Sequence, residues 1–593
     1  MKFRYSCKVI ERYIGARSPL LQPITTEELS QALSQMTNNK AAYDDITAEL
    51  LKYASPEIHT EISEALNEMF AEHADIEIGA GKIAAIEKPK KPMPGPVKDL
   101  RPITLLKVIR KILSKITLIR LKPYMDRYLS PSQSAYRNGR STTDIVWAYR
   151  WMLAKAQSCD VEIHSIGIDM TAAFDTVDRS KMLSLIEEIA GPDEARMVRA
   201  LLSNTTLEVK LPGYDKNKIV FESNLGTPQG DNLSGPLLIL FFEMALRSLR
   251  KKLEAIPMEP DHDYANSTIV TKGQFNPLHN DHSYSTQVSP RVPQIKTPLQ
   301  DHQDYQRNAS NYLPEEATYA DDADYLTLSK EKKRLYLKHV TSTLKEDDLY
   351  VNESKTEVLV MKRGDKETET WRQSTKLGSV LGDVEDISRR KQLAVAAFQT
   401  KEKIWIEKHS VPRELKVDLV ESLVMSILLY NSCCWGLRKC DIEGIEVLQR
   451  HMLRRVCNIK YPEIISNRNL YKVTKTKPAS IRIAKGRWQY FGHALRLHLM
   501  SPPQQAMDFF FAFKPDKKFP GRRATIVSTL QDDIKMTKIK FPQFEIDSLS
   551  SHSDLRRLRA LASDRKKWRR ITKSITDTTE ANSWAAQPDA NPV

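Results

Sequence analysis

Thr318-Tyr319-Ala320-Asp321-Asp322-Ala323-Asp324-Tyr325-Leu326 sets adjacent carboxylates between two runs of strand character. Tyr325 and Thr327 alternate with Leu326 and Leu328, the period-two pattern of a half-buried strand, which places Asp321 and Asp322 at or near a hairpin turn. Such a turn directs both carboxylates out of the sheet toward a common point. Hard divalent cations take oxygen ligands, and Mg²⁺ is commonly held by one or two carboxylates plus substrate phosphates, so the tip suits nucleotidyl chemistry. A second short apolar strand, Ile163-His164-Ser165-Ile166-Gly167-Ile168, delivers Asp169 and then breaks into Thr171-Ala172-Ala173-Phe174-Asp175. A two-metal site draws carboxylates from two strands, because each metal must touch both the reacting phosphate and the protein. Asp169 with Asp321 and Asp322 supplies that set.

Tyr319-Ala320-Asp321-Asp322, preceded by Asp169 with Ala173-Phe174-Asp175 behind it and by Gly226-Thr227-Pro228-Gln229-Gly230 between them, resembles the palm of the reverse transcriptases of non-LTR (LINE-like) retrotransposons. The resemblance implies an α+β right-hand polymerase of fingers, palm and thumb with a mostly helical, basic C-terminal domain. It implies template-directed attack of a primer 3′-hydroxyl on a deoxynucleoside triphosphate, with an RNA template, a DNA primer and two Mg²⁺ per site, or Mn²⁺ in their place. Asp169, Asp321 and Asp322 would be catalytic and, with Met170, would hold the metals; Lys355 would neutralise or protonate the leaving pyrophosphate. Arg101, Phe174, Gln229 and Gly230 would meet the incoming nucleotide, Phe174 by colliding with a 2′-hydroxyl. Arg137, Arg140 and Gly378 would contact template and primer. Residues 1–80 correspond to an N-terminal helical extension, 81–375 to fingers and palm, 376–440 to primer grip and helical thumb, and 441–593 to a basic nucleic-acid-binding region. The family's upstream endonuclease domain is expected to be lacking. A catalytically inactive or domesticated copy that binds RNA is the alternative; a group II intron maturase or an RNA-dependent RNA polymerase is disfavoured by Phe174 and the C-terminal pattern.

At 593 residues and 41% hydrophobic composition the chain can hold several cores. Its net charge of +15 points to a polyanionic partner, since Lys and Arg facing phosphates release condensed counterions. Without a run of eighteen apolar residues or a signal-peptide core, neither a membrane span nor secretion is expected, which implies an intracellular protein; the family resemblance implies a nuclear and/or cytoplasmic ribonucleoprotein. Six cysteines without a Cys-x-x-Cys pair indicate neither a disulfide framework nor a zinc ribbon.

Around this centre, Thr25-Thr26-Glu27-Glu28 carries a capping box that opens a helix with Leu29, Ala32, Leu33 and Met36 on one face. Lys82–Ile86 and Asp99–Leu106 make a hairpin around a basic, proline-rich turn at 87–96. Ile109, Ile112, Leu113, Ile116, Ile119 and Leu121 recur at helical spacing, and Lys107, Arg110, Lys111, Lys115, Arg120 and Lys122 are expected on the outer, nucleic-acid face. Two residues depart from the family pattern near the glycine turn, Asp231 and Gly235. The polar stretch 254–316, rich in Pro, His, Asp and Asn, is expected to be a disordered insertion. Leu419, Leu423, Val424, Ile427, Leu428 and Tyr430 are expected inside a helical unit, with Lys401, Lys403, Lys408, Arg413 and Lys416 outside. Finally, Arg487-Trp488 and Arg565-Lys566-Lys567-Trp568-Arg569-Arg570 predict exposed helices that bind nucleic acid by charge and stacking.

Overall fold

The computed structural model describes residues 19–585 except 41–42, 44–45, 72–77, 88–99, 210–218, 257–312, 365–368, 408–409, 461, 514–517 and 522. The expected insertion over 254–316 lies almost wholly, and the proline-rich turn largely, outside the described residues. Strands are β1 (Gly81–Glu87), β2 (Leu100–Leu106), β3 (Ile163–Ile168), β4 (Thr206–Val209), β5 (Ile219–Glu222), β6 (Glu316–Tyr319), β7 (Asp322–Thr327), β8 (Glu357–Met361), β9 (Thr375–Lys376) and β10 (Ser379–Val380). They form sheets of order β2-β1-β4-β5 and β6-β7-β3-β8 and a β9-β10 hairpin, among many helices. All pairings are antiparallel except β1 with β4.

The sheet β6-β7-β3-β8 carries the acidic stretch. All six residues of β3 are buried. Side chains alternate across a strand, so Ile166 and Ile168 enter a core with Leu113, Ile116, Leu238 and Phe241, while Ile163 enters another with Leu326, Leu359, Trp147 and Trp151. Helices therefore cover both faces, and β7 is not half-buried as its alternation predicts. Tyr325 stacks on Tyr336 of the helix Lys330–Glu346, ring centroids 4.2 Å apart, and Thr327 is buried. Tyr and Thr give a polar rhythm to a strand that a helix nonetheless covers.

The second of these cores runs on into the C-terminal helices. It joins Ile163, Leu326 and Met361 to Trp488, Phe491, Trp568 and Ile575. Trp488 and Trp568 are 0% and 3% exposed, which corrects the expectation of exposed stacking side chains. The indole of Trp568 lies on Gly492, where an added Cβ would fall 1.9 Å from its Nε1, and it donates to the carbonyl of Trp488 at 2.8 Å. Only the cations of that stretch, Arg565, Lys566, Arg569 and Arg570, face outward.

The capping box at Thr25 and Glu28 forms, with Leu29, Ala32 and Leu33 buried behind it. In the expected helical unit two residues change sides: Leu423 is 44% exposed, and Lys416 points inward to donate to the carbonyl of Trp405 at 3.0 Å. A wide turn of π type at Val420–Val424 rotates the helix face between them, so a 3.6-residue count loses register.

Candidate active site

Tyr319 pairs with Asp322 across the β6-β7 hairpin, leaving Ala320 and Asp321 as a two-residue turn. Ala320 takes φ +58, a left-handed conformation that a residue with a Cβ adopts only when held there. Gln133 holds it: Oε1 accepts the Ala320 amide at 3.0 Å and Nε2 donates to its carbonyl at 3.3 Å. Ser134 N also donates to Thr318 O at 2.9 Å, so the 132–134 segment runs beside β6 like an added strand. On the other side, β7 pairs with β3 through Ile168 and Ala323, and the next rung of that register sets Asp169 opposite Asp322. The amide of Asn352 donates to the Asp169 carbonyl at 2.8 Å, and Met170 is buried with its backbone bridged to Val351.

The three carboxylates act on one another. Burial and then the Asp169 charge raise the Asp321 carboxyl above its ordinary range. Burial among its neighbours, followed by the charges of Asp321, Asp169 and Asp324, pushes Asp322 up to about 7, although the residue as a whole is exposed on the hairpin's rim. Lys355 places Nζ 2.5 Å from Asp169 Oδ2, and that hydrogen bond raises its pKa. Among the described residues no three His, Cys, Asp or Glu side chains close around a point as a finished metal cage. The donor set nonetheless fits hard divalent cations: oxygen ligands only, converging from two strands and a turn, with Asp321 and Asp322 raised by burial and by repulsion from neighbouring carboxylates that a cation would relieve.

The glycine turn closes this end of the sheet. Thr227 N donates to Phe174 O at 2.8 Å and Gly226 N to Val177 O at 2.9 Å. Gly226 has φ +70, and a Cβ there would lie 2.4 Å from the Phe174 carbonyl, so only glycine permits the approach. Phe174 itself is half-buried against the first core. Thr104 N on β2 donates to Gln229 O at 2.6 Å, and Gly230 at φ +116 abuts the Thr104 carbonyl. Arg179 gathers the preceding loop by donating to the carbonyls of Gly226, Leu202 and Ser223 at 2.8, 2.6 and 2.6 Å; burial lowers its pKa to about 10.

Several basic residues differ from expectation. Arg110 is fully buried and meets Asp231 at 3.4 Å, while Ser114 donates to the same carboxylate at 3.0 Å. Asp231, the departure from the family pattern, is thus the counter-ion of a core arginine. Gly235, the other departure, leaves room for the ring of Tyr136, whose Cζ would lie 2.3 Å from an added Cβ. Arg137 binds Asp126 at 3.2 Å and the carbonyl of Ser130 at 2.9 Å; Arg140, 7% exposed in its side chain, faces Asp144 at 3.8 Å. Each of these two guanidinium groups thus has a carboxylate neighbour within the chain. Arg101 lies exposed on β2 opposite Ile86. Leu377 and Gly378, at φ +46 and +80, turn the β9-β10 hairpin as a two-residue turn with both angles positive requires. Tyr430 donates to Leu377 O at 3.1 Å and Arg390 to Gly378 O, fixing that tip. Sequence reasoning passed over Gln133, Arg179 and Asp231 as site builders, although the match of Gln133 to the family pattern and the mismatch at Asp231 were visible signals.

Residues 86–270 match the family described as reverse transcriptase (RNA-dependent DNA polymerase). The match includes Asp169, Phe174 and the glycine turn and ends before the acidic hairpin. The chain is 29% identical over 246 residues, 40% of its length, to the transposon TX1 uncharacterized 149 kDa protein of Xenopus laevis, covering 18% of that protein. It is 28% identical over 163 residues, 27% of its length, to the probable RNA-directed DNA polymerase from transposon BS of Drosophila melanogaster, covering 17%. The similarity thus spans less than a fifth of the length of these curated relatives. A solved structure of apo telomerase from Candida Tropicalis, truncated from the C-terminal domain, aligns over 58% of this chain and 62% of that one at TM-score 0.33 and 14% identity, a likeness too low to bear on the fold. Among the described residues no helix is long and apolar enough to cross a membrane.

Proposed function

We propose that this chain, with its reverse transcriptase domain and its transposon-encoded relatives, is an RNA-directed DNA polymerase from a non-LTR retrotransposon. In this reading the sheet β6-β7-β3-β8 is the palm, β1 and β2 belong to the fingers, β9 and β10 form the primer grip, and the helices that follow make the thumb. The observation that carries it is the placement of Asp169 opposite Asp322 with Asp321 in the adjoining turn, at the sheet end where the 226–230 turn also lies. Two Mg²⁺ held by Asp169, Asp321 and Asp322, with Met170 offering its carbonyl, would lower the pKa of the primer hydroxyl and stabilise the leaving pyrophosphate.

The chain's own residues do the rest. Gln133 keeps Asp321 in the turn, and the 226–230 backbone and Arg101 receive the deoxynucleoside triphosphate. Phe174 excludes a 2′-hydroxyl by occupying its space. Lys355 balances the charge of Asp169 and is at hand for the pyrophosphate as it departs. RNA template and DNA primer are the partners, and the outward cations of the last helix supply contacts to phosphate. A primer-extension assay on an RNA template, run with deoxynucleotides and then ribonucleotides, tests the reading. Deoxynucleotide incorporation that Asp169→Asn abolishes supports it; RNA binding with no extension by the intact chain would mean a copy that binds without catalysis.

A further inference from the structure

Gly167 sits in the middle of a row across three strands. The register pairs it with Asp324 of β7 on one side and Glu357 of β8 on the other. Above the missing side chain lies the ammonium of Lys376, from β9: an added Cβ on Gly167 would fall 2.6 Å from Lys376 Nζ and 2.7 Å from Asp324 Oδ1. That ammonium is 2.6 Å from Asp324 and 3.3 Å from Glu357, with the ring of Tyr149 at 6.0 Å, and both Lys376 and Asp324 are buried. A glycine inside a strand marks a close approach, and here the approaching group is a charge.

This row lies two residues along from Asp169 and Asp322, on the same face of the sheet because side chains repeat every second residue, at a distance of about 7 Å. One cavity of about 230 Å³ is lined by both sets, Asp169 and Asp322 at one end and Asp324 and Lys376 at the other. Lys376 immediately precedes the Leu377-Gly378 tip of the β9-β10 hairpin. Without the ammonium, Asp324 and Glu357 would repel each other across Gly167, and β7 would have no tie to that hairpin at this rung.

We propose that Lys376 is a positioning residue for nucleotidyl transfer. Pinned over Gly167 between Asp324 and Glu357, it fixes the spacing of the Asp169 and Asp322 rung and couples it to the hairpin. The proposal rests on the polymerase reading and deepens it. The test compares Lys376→Met, Gly167→Ala and the neutral pair Asp324→Asn/Lys376→Met with the intact chain. Three quantities are read: single-turnover extension rate, primer-template affinity by fluorescence anisotropy, and melting temperature. Loss of alignment by about an ångström costs about 10²-fold in rate, so Lys376→Met is expected to lose about that much with affinity unchanged. Gly167→Ala should lose a comparable amount, and the two together little more, because they break one contact. Asp324→Asn/Lys376→Met, which leaves Glu357 no opposing carboxylate across Gly167, should recover most of the rate; the readout that a merely structural lysine would not move is the extension rate, taken well below the melting temperature at unchanged primer-template affinity; should Lys376→Met fail to fold, the neutral pair and Gly167→Ala decide alone. A Lys376→Met variant extending at the rate of the intact chain, a neutral pair no faster than Lys376→Met, or losses that follow affinity or melting overturn the proposal. No extension by the intact chain overturns the polymerase reading and this proposal with it.

Discussion

Arg110 and Asp231 meet at 3.4 Å with neither side chain open to solvent, joining the helix Val108–Tyr128 to the residue that follows the glycine turn. Removing one partner of a buried pair leaves an uncompensated charge, which costs about 3–5 kcal/mol. Asp231→Ala is therefore expected to destabilise the chain by about that amount. Arg110→Met/Asp231→Leu, which removes both charges, should cost much less. Urea unfolding of the three proteins measures the difference, and equal losses in single and double variants would show that the pair is not a unit.

Asp169→Asn and Asp321→Asn should each abolish primer extension and leave RNA affinity nearly unchanged. In the proposed reading RNA is held by cations elsewhere on the chain, whereas the metals would depend on these carboxylates. Gel-shift titration beside the extension assay separates the two; extension near the normal rate in either variant would remove that carboxylate from the site.

Phe174→Ala is expected to raise ribonucleotide use relative to deoxynucleotide use, because the ring's removal opens space for a 2′-hydroxyl. The carbonyl of Phe174, which accepts from Thr227 at 2.8 Å, is untouched by the change, so the turn should stay in place. Competition between the two nucleotide types in one extension reaction gives the ratio. A constant ratio would leave Phe174 as part of the core it packs against.

Gly492→Ala should destabilise the C-terminal helices by about 1–3 kcal/mol, the usual cost of overpacking, because the indole of Trp568 fills that space. Thermal unfolding followed by tryptophan fluorescence reports it. Gly492→Ala combined with Trp568→Phe should regain part of the loss; an undiminished melting temperature in Gly492→Ala would mean that the two helices separate easily.

RNA affinity should fall by about 10³-fold or more between about 50 and 200 mM salt if about six phosphates are contacted. The +15 charge is the basis, and a flat salt dependence in filter binding would mean that it serves no such contact.

The strands that carry the three carboxylates and the acidic turn between them were legible in the sequence because their determinants are local, whereas β4 and β5 were not read. Alternation, a break after Asp169 and paired carboxylates lie within a few residues of one another. The place of Arg110 was not. Whether Arg110 lies on an outer face or in a core depends on which carboxylate the fold brings to it, and Asp231 reaches it from far along the chain. The tryptophans Trp488 and Trp568 misled for a related reason: a basic helix with one aromatic residue per turn or two has the same composition whether the ring faces solvent or a glycine on a neighbouring helix. Asp231 and Gly235 show the reverse case, in which two mismatches to a family pattern acquire a cause only when Arg110 and Tyr136 are seen beside them.

The core that joins Ile163 and Leu326 to Trp568 and Ile575 makes the C-terminal helices part of the support of the sheet that carries Asp169 and Asp322. Truncation between Lys376 and Trp568 would strip one face of the strands that carry Asp169 and Asp322, although all three carboxylates, Lys355 and Lys376 would still be present. A chimera that joined these strands to the C-terminal helices of a distant relative would have to exchange the matching face of the sheet as well.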